Sequence, residues 1–216
     1  MNIWSIDCVK QFSFFEYSSF IKYQTKTMSK ATTIKEALKR FEERSRVSSS
    51  EATEIDLQFQ WPPIERMDGA LGNLVNCKWL SLSTNMIEKI NGLNGMRNLR
   101  VLSLSRNYIK QISGLEVVAD TLQELWLSYN LIEKLKGLTA LKNLRLLFIS
   151  NNLLKDWCEI NKLQELSSLE DLLLFGNPIC EGYDETAWRA ECIKRLPLIK
   201  KLDGEPVVVN EEPVVA

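Results

Sequence analysis

A chain of 216 residues, 45% apolar and 25% charged, has the profile of a globular protein with one large or two small domains. Its net charge of −1 gives no bulk attraction to nucleic acid or to an anionic membrane, so neither is expected as a partner. It contains no histidine, which removes the Ser-His-Asp and Cys-His nucleophiles, the HExxH zinc site and every imidazole base.

The common phosphate cradles, GxxxxGK(S/T) and GxGxxG, are missing as well. The cysteines are Cys8, Cys77, Cys158, Cys180 and Cys192, an odd number with no CxxC pair. A disulfide framework or a zinc site is therefore not expected, and a reducing compartment is. Cys77 and Cys192 are expected to fill core positions. No stretch approaches ~18 consecutive apolar residues, so no transmembrane helix is expected. No catalytic residue, metal or cofactor is indicated.

Residues 1–27 are rich in aromatics, but Asp7, Lys10 and Glu16 interrupt any apolar core of a signal peptide. They read as an upstream extension of the reading frame or a poorly ordered tail, ahead of an amphipathic anchor. Residues 28–54 read as a capping helix and loop. Thr33 and Glu36 have the spacing of a capping box. Ile34, Leu38 and Phe41 then define one apolar helix face, and the Ser-rich stretch 45–54 is a linker.

Residues 55–179 repeat. "LSLSTNMIEKI" (80–90), "LSLSRNYIKQI" (102–112), "LWLSYNLIEKL" (125–135), "LFISNNLLKDW" (147–157) and "LLLFGNPI" (172–179) share the frame LxLxxNxI. Its asparagines, Asn85, Asn107, Asn130, Asn152 and Asn177, are spaced 22, 23, 22 and 25 residues apart. A degenerate earlier copy places Gln60 near the asparagine position. A second element, "INGL", "ISGL" and "LKGL", keeps the same phase. The pattern resembles the leucine-rich repeat in its 22-residue subclass. The expected fold is an α/β solenoid, with a parallel sheet on the concave face, short helical or 3₁₀ segments on the convex face and helical caps at both ends. Each asparagine ends a strand, where its amide bonds backbone groups that the turn leaves unpaired. Trp157, Ile160, Leu163 and Leu166 keep helical spacing, so a fuller helix is expected after Asn152. Residues 180–207 resemble the C-terminal cap of this subclass, and the tail 208–216 has little to pack.

Alternation puts the residues beside the core leucines on the open sheet face. Serine occupies the last such position in four successive strands. The earlier positions are bulky: Trp79, Val101, Trp126, Leu146, Phe148, Leu173 and Phe175 line up across the strands, with Glu124 and Asp171 at strand starts. A sheet face open to water is normally polar. This set points to a protein-binding face, with Trp a frequent hot-spot residue and the two acids supplying selectivity. The competing reading is that these residues only pack on one another or under an N-terminal segment. Arg189, Lys194, Arg195, Lys200 and Lys201 form a basic run beside the helix expected in "WRAECIKRLPLIKKL". It reads either as a solvated helix face or as an electrostatic contact to an acidic partner such as tubulin or a motor domain.

From Met28 to Val207 the chain resembles the axonemal dynein light chain 1 family, the leucine-rich-repeat light chains of the ciliary outer dynein arm. "KATTIKEALKRFEE", "PPIERMD", "NCKWLSLSTNMIEKI", "ELWLSYNLIEKLKGL", "SNNLLKDW" and "LPLIKKLDGEPV" carry the match, in order. The resemblance implies no enzymatic activity. It implies binding to an axonemal dynein heavy chain at the microtubule-binding tip of its stalk, tuning of beating, and a place in the cytoplasm, the cytoskeleton and the axoneme of a cilium or flagellum. The apolar sheet face is then the natural docking site, and the basic C-terminal stretch approaches the motor or the microtubule. The alternative is an adaptor of the same subclass in a phosphatase-regulator or splicing-particle setting. An enzyme built on the Glu124 and Asp171 carboxylates has no enclosed pocket implied for it.

Overall fold

The computed structural model describes residues 30–208. The expectations for residues 1–27 and for the tail beyond Val208 lie outside them. Helix α1 (Ile34–Ser45) starts where the sequence places its cap: Glu36 N donates to Thr33 Oγ1 at 3.2 Å, and Thr33 N donates to Glu36 Oε2 at 2.8 Å. It ends where Arg46 turns left-handed, and it buries Ile34, Ala37, Leu38 and Phe41. That face packs against the 3₁₀ turn Gly69–Asn73 and closes the first repeat.

Behind it runs one sheet in sequence order: β1 (Glu54–Asp56), β2 (Trp79–Ser81), β3 (Val101–Ser103), β4 (Glu124–Trp126), β5 (Leu146–Phe148), β6 (Asp171–Leu173), β7 (Lys201–Leu202) and β8 (Glu205–Pro206). All neighbours pair in parallel except β7 with β8, which closes the edge as a hairpin. Ile55, Leu80, Leu102, Leu125, Leu147, Leu172 and Leu202 lie in register, and all seven are buried. One repeat has no second layer to bury this row against, so the stack of repeats supplies it.

The asparagines form a ladder. Asn130 Oδ1 accepts from Ile109 N at 2.9 Å, and its Nδ2 donates to Leu104 O and Leu127 O at 3.0 Å each. Asn85, Asn107, Asn152 and Asn177 repeat the arrangement, each tying its own turn to the repeat before it. The residue ahead of each asparagine, and Phe59 ahead of Gln60, is left-handed. Gln60 stands in phase but outside the ladder: its Nε2 donates to Gln58 O and its Oε1 accepts from Arg40.

The "GL" element has a steric cause. Gly137 has φ +103°, and a Cβ there would sit 2.1 Å from Ile112 O of the preceding repeat. The convex side carries less helix than the pattern predicts. There are 3₁₀ turns at Gly69–Asn73, Glu116–Val118, Lys162–Glu165 and Pro178–Cys180, and the links from β2 to β3 and from β4 to β5 are turns alone. After Asn152, α2 (Trp157–Asn161) lasts five residues before tightening into the 3₁₀ turn Lys162–Glu165. Repeats of this length leave little room for a full helix.

Helix α3 (Glu185–Arg195) is capped by Asp184, which accepts from Ala187 N at 2.8 Å. It stops at Arg195 because Pro197 pushes Leu196 out of the helical region. Lys200 and Lys201 are therefore not beside a continuing helix, as the sequence pattern suggests; Lys201 opens β7 at the sheet edge and Lys200 directly precedes it.

Candidate functional site

Three rows of side chains cross the open face of the sheet. The first runs Glu54, Trp79, Val101, Glu124, Leu146, Asp171, Lys201, and the second Asp56, Ser81, Ser103, Trp126, Phe148, Leu173. The third begins at Gln58 and passes through Ser83, Ser105, Ser128 and Ser150 to Phe175. Trp79, Val101, Trp126, Leu146, Phe148 and Leu173 are each half-buried, and Phe175 is 63% exposed.

Trp126 lies beside Phe148 with ring centroids 5.9 Å apart and planes at 28°. Its indole Nε1 is buried and has no acceptor among the described residues. Two pairs of serines bond each other: Ser83 Oγ lies 2.6 Å from Ser103 Oγ, and Ser150 Oγ donates to Ser128 Oγ at 2.9 Å. Ser81, Ser103, Ser128 and Ser150 are buried and form a floor beside the aromatics, whose apolar surface stays partly open. Glu124 makes no side-chain hydrogen bond or ion pair among the described residues. Asp171 has only Lys201 Nζ, at 3.5 Å, and its Oδ1 is buried and unpaired.

The basic residues are not brought together as one patch. Arg189 donates to Leu202 O and Pro206 O at 2.9 and 3.0 Å, holding the β7–β8 hairpin on α3. Arg195 pairs with Glu191 and lies 4.1 Å over the Trp157 ring. That ring belongs to a cluster with Tyr183 and Trp188 that seats α3 on α2. Lys200 and Arg145 both bind Glu170, at 2.8 and 3.0 Å, and together hold its carboxyl below the usual range. Lys194 alone of the five makes no side-chain hydrogen bond or ion pair among the described residues, and it is exposed. Among the described residues no group of three or more His, Cys, Asp or Glu is arranged to hold a metal ion, and no helix is long and apolar enough to cross a membrane.

The chain is 58% identical to the dynein axonemal light chain 1 of Danio rerio over 86% of its own length and 97% of that protein. It is 55% identical to the light chain of the same name from Chlamydomonas reinhardtii, over 85% and 95% of the two chains. The chain belongs to the dynein axonemal light chain 1 family. A family profile described as Leucine Rich repeats (2 copies) matches residues 75–117. The fold is also that of an internalin from Listeria monocytogenes, with a TM-score of 0.57 at 24% identity over 71% of this chain and 41% of that one.

In this member of the light chain family, sequence arithmetic missed several structural roles. Asp203 stands in "LPLIKKLDGEPV" with nothing in the repeat frame to mark it, yet its carboxylate closes the last repeat. A second side-chain rail lies outside the repeat frame: Asn98 and Asn143 each donate through Nδ2 to a carbonyl of the preceding repeat, and Asn76 to Ser50 O of the linker, at 2.8–2.9 Å. The signal was present, because all three stand four residues before a core leucine. Phe59 and Trp61, 63% and 41% exposed in the degenerate first repeat, also escaped the repeat frame.

Proposed function

We propose that the chain is a non-catalytic light chain that docks on an axonemal dynein heavy chain through the open face of its sheet. The carrying observation is the row of half-buried aromatic and aliphatic side chains centred on Trp126 and Phe148, left uncovered by the described residues. A soluble sheet gains nothing from such residues on its open face unless something covers them, and aromatic anchors are what protein interfaces use. Membership of the light chain family supplies the partner class. In this reading the contact is with the microtubule-binding region of the heavy-chain stalk, in the axoneme of a cilium or flagellum, and it regulates motility. Four of the five cap cations are engaged within the fold, which favours the apolar face over the cap as the dock; a contact of the cap with the motor or the microtubule is a separate, second reading.

The test is capture from ciliated-cell extract by the purified chain, comparing wild type with Trp126→Ala plus Phe148→Ala after circular dichroism shows both folded. Capture of a dynein heavy chain by wild type and its loss from the variant supports the face as the dock. Equal capture by both moves the dock elsewhere. Capture of phosphatase or spliceosomal proteins in place of a heavy chain overturns the reading.

A further inference from the structure

The first row of the open face places Leu146 between Glu124 and Asp171, in register on β4, β5 and β6. The two acids are two strands apart, or about 10 Å at the usual strand spacing. Each keeps at least one oxygen unpaired. Glu124 has no side-chain partner among the described residues, and Asp171 has one ion pair at 3.5 Å, beyond hydrogen-bond length. Glu170, next to Asp171 in sequence, shows what commitment looks like here: both its oxygens are bound, at 2.8 and 3.0 Å.

A second observation points to the same spot. Among the described residues, only Trp126 Nε1 and Asp171 Oδ1 are buried side-chain polar atoms without a hydrogen bond, and both lie on this face. Asp171 Oδ1 is the one that a cation answers; the indole N–H is a donor and calls for an acceptor, such as a backbone carbonyl of the partner. Leaving such an atom unpaired has a free-energy cost, and native proteins rarely leave one without a functional reason. The surroundings are apolar: Trp126 and Phe148 stand in the next row.

We infer that the docking partner delivers a basic side chain, lysine or arginine, onto Leu146 between Glu124 and Asp171. Its alkyl stem lies on the leucine and the neighbouring aromatic rings, and its charged end reaches the two carboxylates. The Trp126 ring face adds attraction for the same cation. The proposal rests on the docking reading above and specifies what the face selects: a segment with apolar residues flanking one cation. A purely apolar segment would desolvate Glu124 with no partner and leave Asp171 with Lys201 alone, and an acidic one would be repelled.

The experiment measures affinity of the purified full chain for the heavy-chain stalk tip at two salt concentrations. Three proteins are compared: wild type, Glu124→Gln plus Asp171→Asn, and Trp126→Ala plus Phe148→Ala. The amide pair keeps shape and removes charge. It is expected to weaken binding at least about tenfold and to flatten the salt dependence. Unchanged affinity and salt dependence in the amide pair, with binding lost in the aromatic pair, overturns the cation and leaves the dock standing. Wild-type binding by the aromatic pair overturns the dock and the cation with it. Should the double amide variant fold poorly, Glu124→Gln alone serves, because Glu124 holds no contact to lose.

Discussion

The indole N–H of Trp188 donates to Asp203 Oδ2 at 2.8 Å, while Asp203 Oδ1 takes the backbone N–H groups of Leu174 and Phe175 at 2.6 and 2.9 Å. In the interior repeats the equivalent first N–H goes to a carbonyl of the next strand, as Leu82 N does to Ser103 O at 2.8 Å. Strand β7 has two residues and then turns away at Asp203, whose φ is 51°. The carboxylate replaces the missing strand, and Trp188 fixes its position from the cap helix.

Asp203→Ala is therefore expected to strand two backbone donors and one indole donor, and to lower stability by about 2–4 kcal/mol. Asp203→Asn keeps one acceptor oxygen and loses less. Urea unfolding followed by far-ultraviolet circular dichroism separates the two variants. An alanine variant within about 0.5 kcal/mol of wild type would show that the last repeat does not depend on this carboxylate.

The ladder makes a sharper contrast. Asn130→Ala leaves Ile109 N without an acceptor inside the solenoid and removes one of the two amide donors on Leu104 O and on Leu127 O, which Asn107 and Asn152 still bond, and a loss of at least about 2 kcal/mol is expected. Gln60 occupies the same phase in the first repeat but bonds only Gln58 O and Arg40, so Gln60→Ala is expected to cost under about 1 kcal/mol. Paired denaturation curves decide this. Equal losses would mean that the phase position itself carries the stability, rather than the amide network.

Most of the solenoid was legible because its causes recur. Leu80, Leu102, Leu125, Leu147 and Leu172 repeat with period, so one alternation argument places all five in one buried row. The same alternation fixes which residues share the open face, so Trp126 beside Phe148 could be read before any coordinates. What escaped has no repeated residue type or depends on one event. Thr84, Arg106, Tyr129, Asn151 and Gly176 share a left-handed backbone and no chemistry, so no pattern marks them. The end of α3 depends on a single proline and was overrun. The internal pairing of Arg189, Arg195 and Lys200 depends on where the cap folds, and charge counting along the chain makes them look like one patch.

Thiol chemistry should divide along burial. Cys77 and Cys192 are buried, and burial pushes both thiols up to about 12. Cys158 is exposed. Iodoacetamide at pH 8 is expected to modify Cys158 in the folded chain while sparing Cys77 and Cys192, because the thiolate is the reactive form. Peptide mass mapping before and after denaturation reads the difference. Modification of Cys77 as fast as Cys158 in folded protein would contradict its place in the core.

Glu159 gives the fold a dependence on acid. It lies in α2 and is buried, with Oε2 accepting from Leu135 N at 2.8 Å and Oε1 accepting from Lys162 Nζ at 2.7 Å. Burial alone raises its pKa, but the Lys162 ammonium and the Leu135 N–H outweigh that effect, and the carboxyl lies below its ordinary value of 4.5. A carboxyl with a lower pKa in the folded chain binds its proton less readily there than in the unfolded chain. Its stabilisation is complete above the unfolded value and is lost as pH falls through the folded one. Wild type is thus expected to exceed Glu159→Gln by about 1–2 kcal/mol at pH 7, since the amide keeps an acceptor for Leu135 but loses the charge facing Lys162. The gap should shrink steadily as the pH drops below about 4.5. Urea unfolding of both proteins from pH 7 to pH 3 measures it. A gap that stays constant across that range would mean that the Glu159 charge contributes nothing, and that shape alone holds α2 against the preceding repeat.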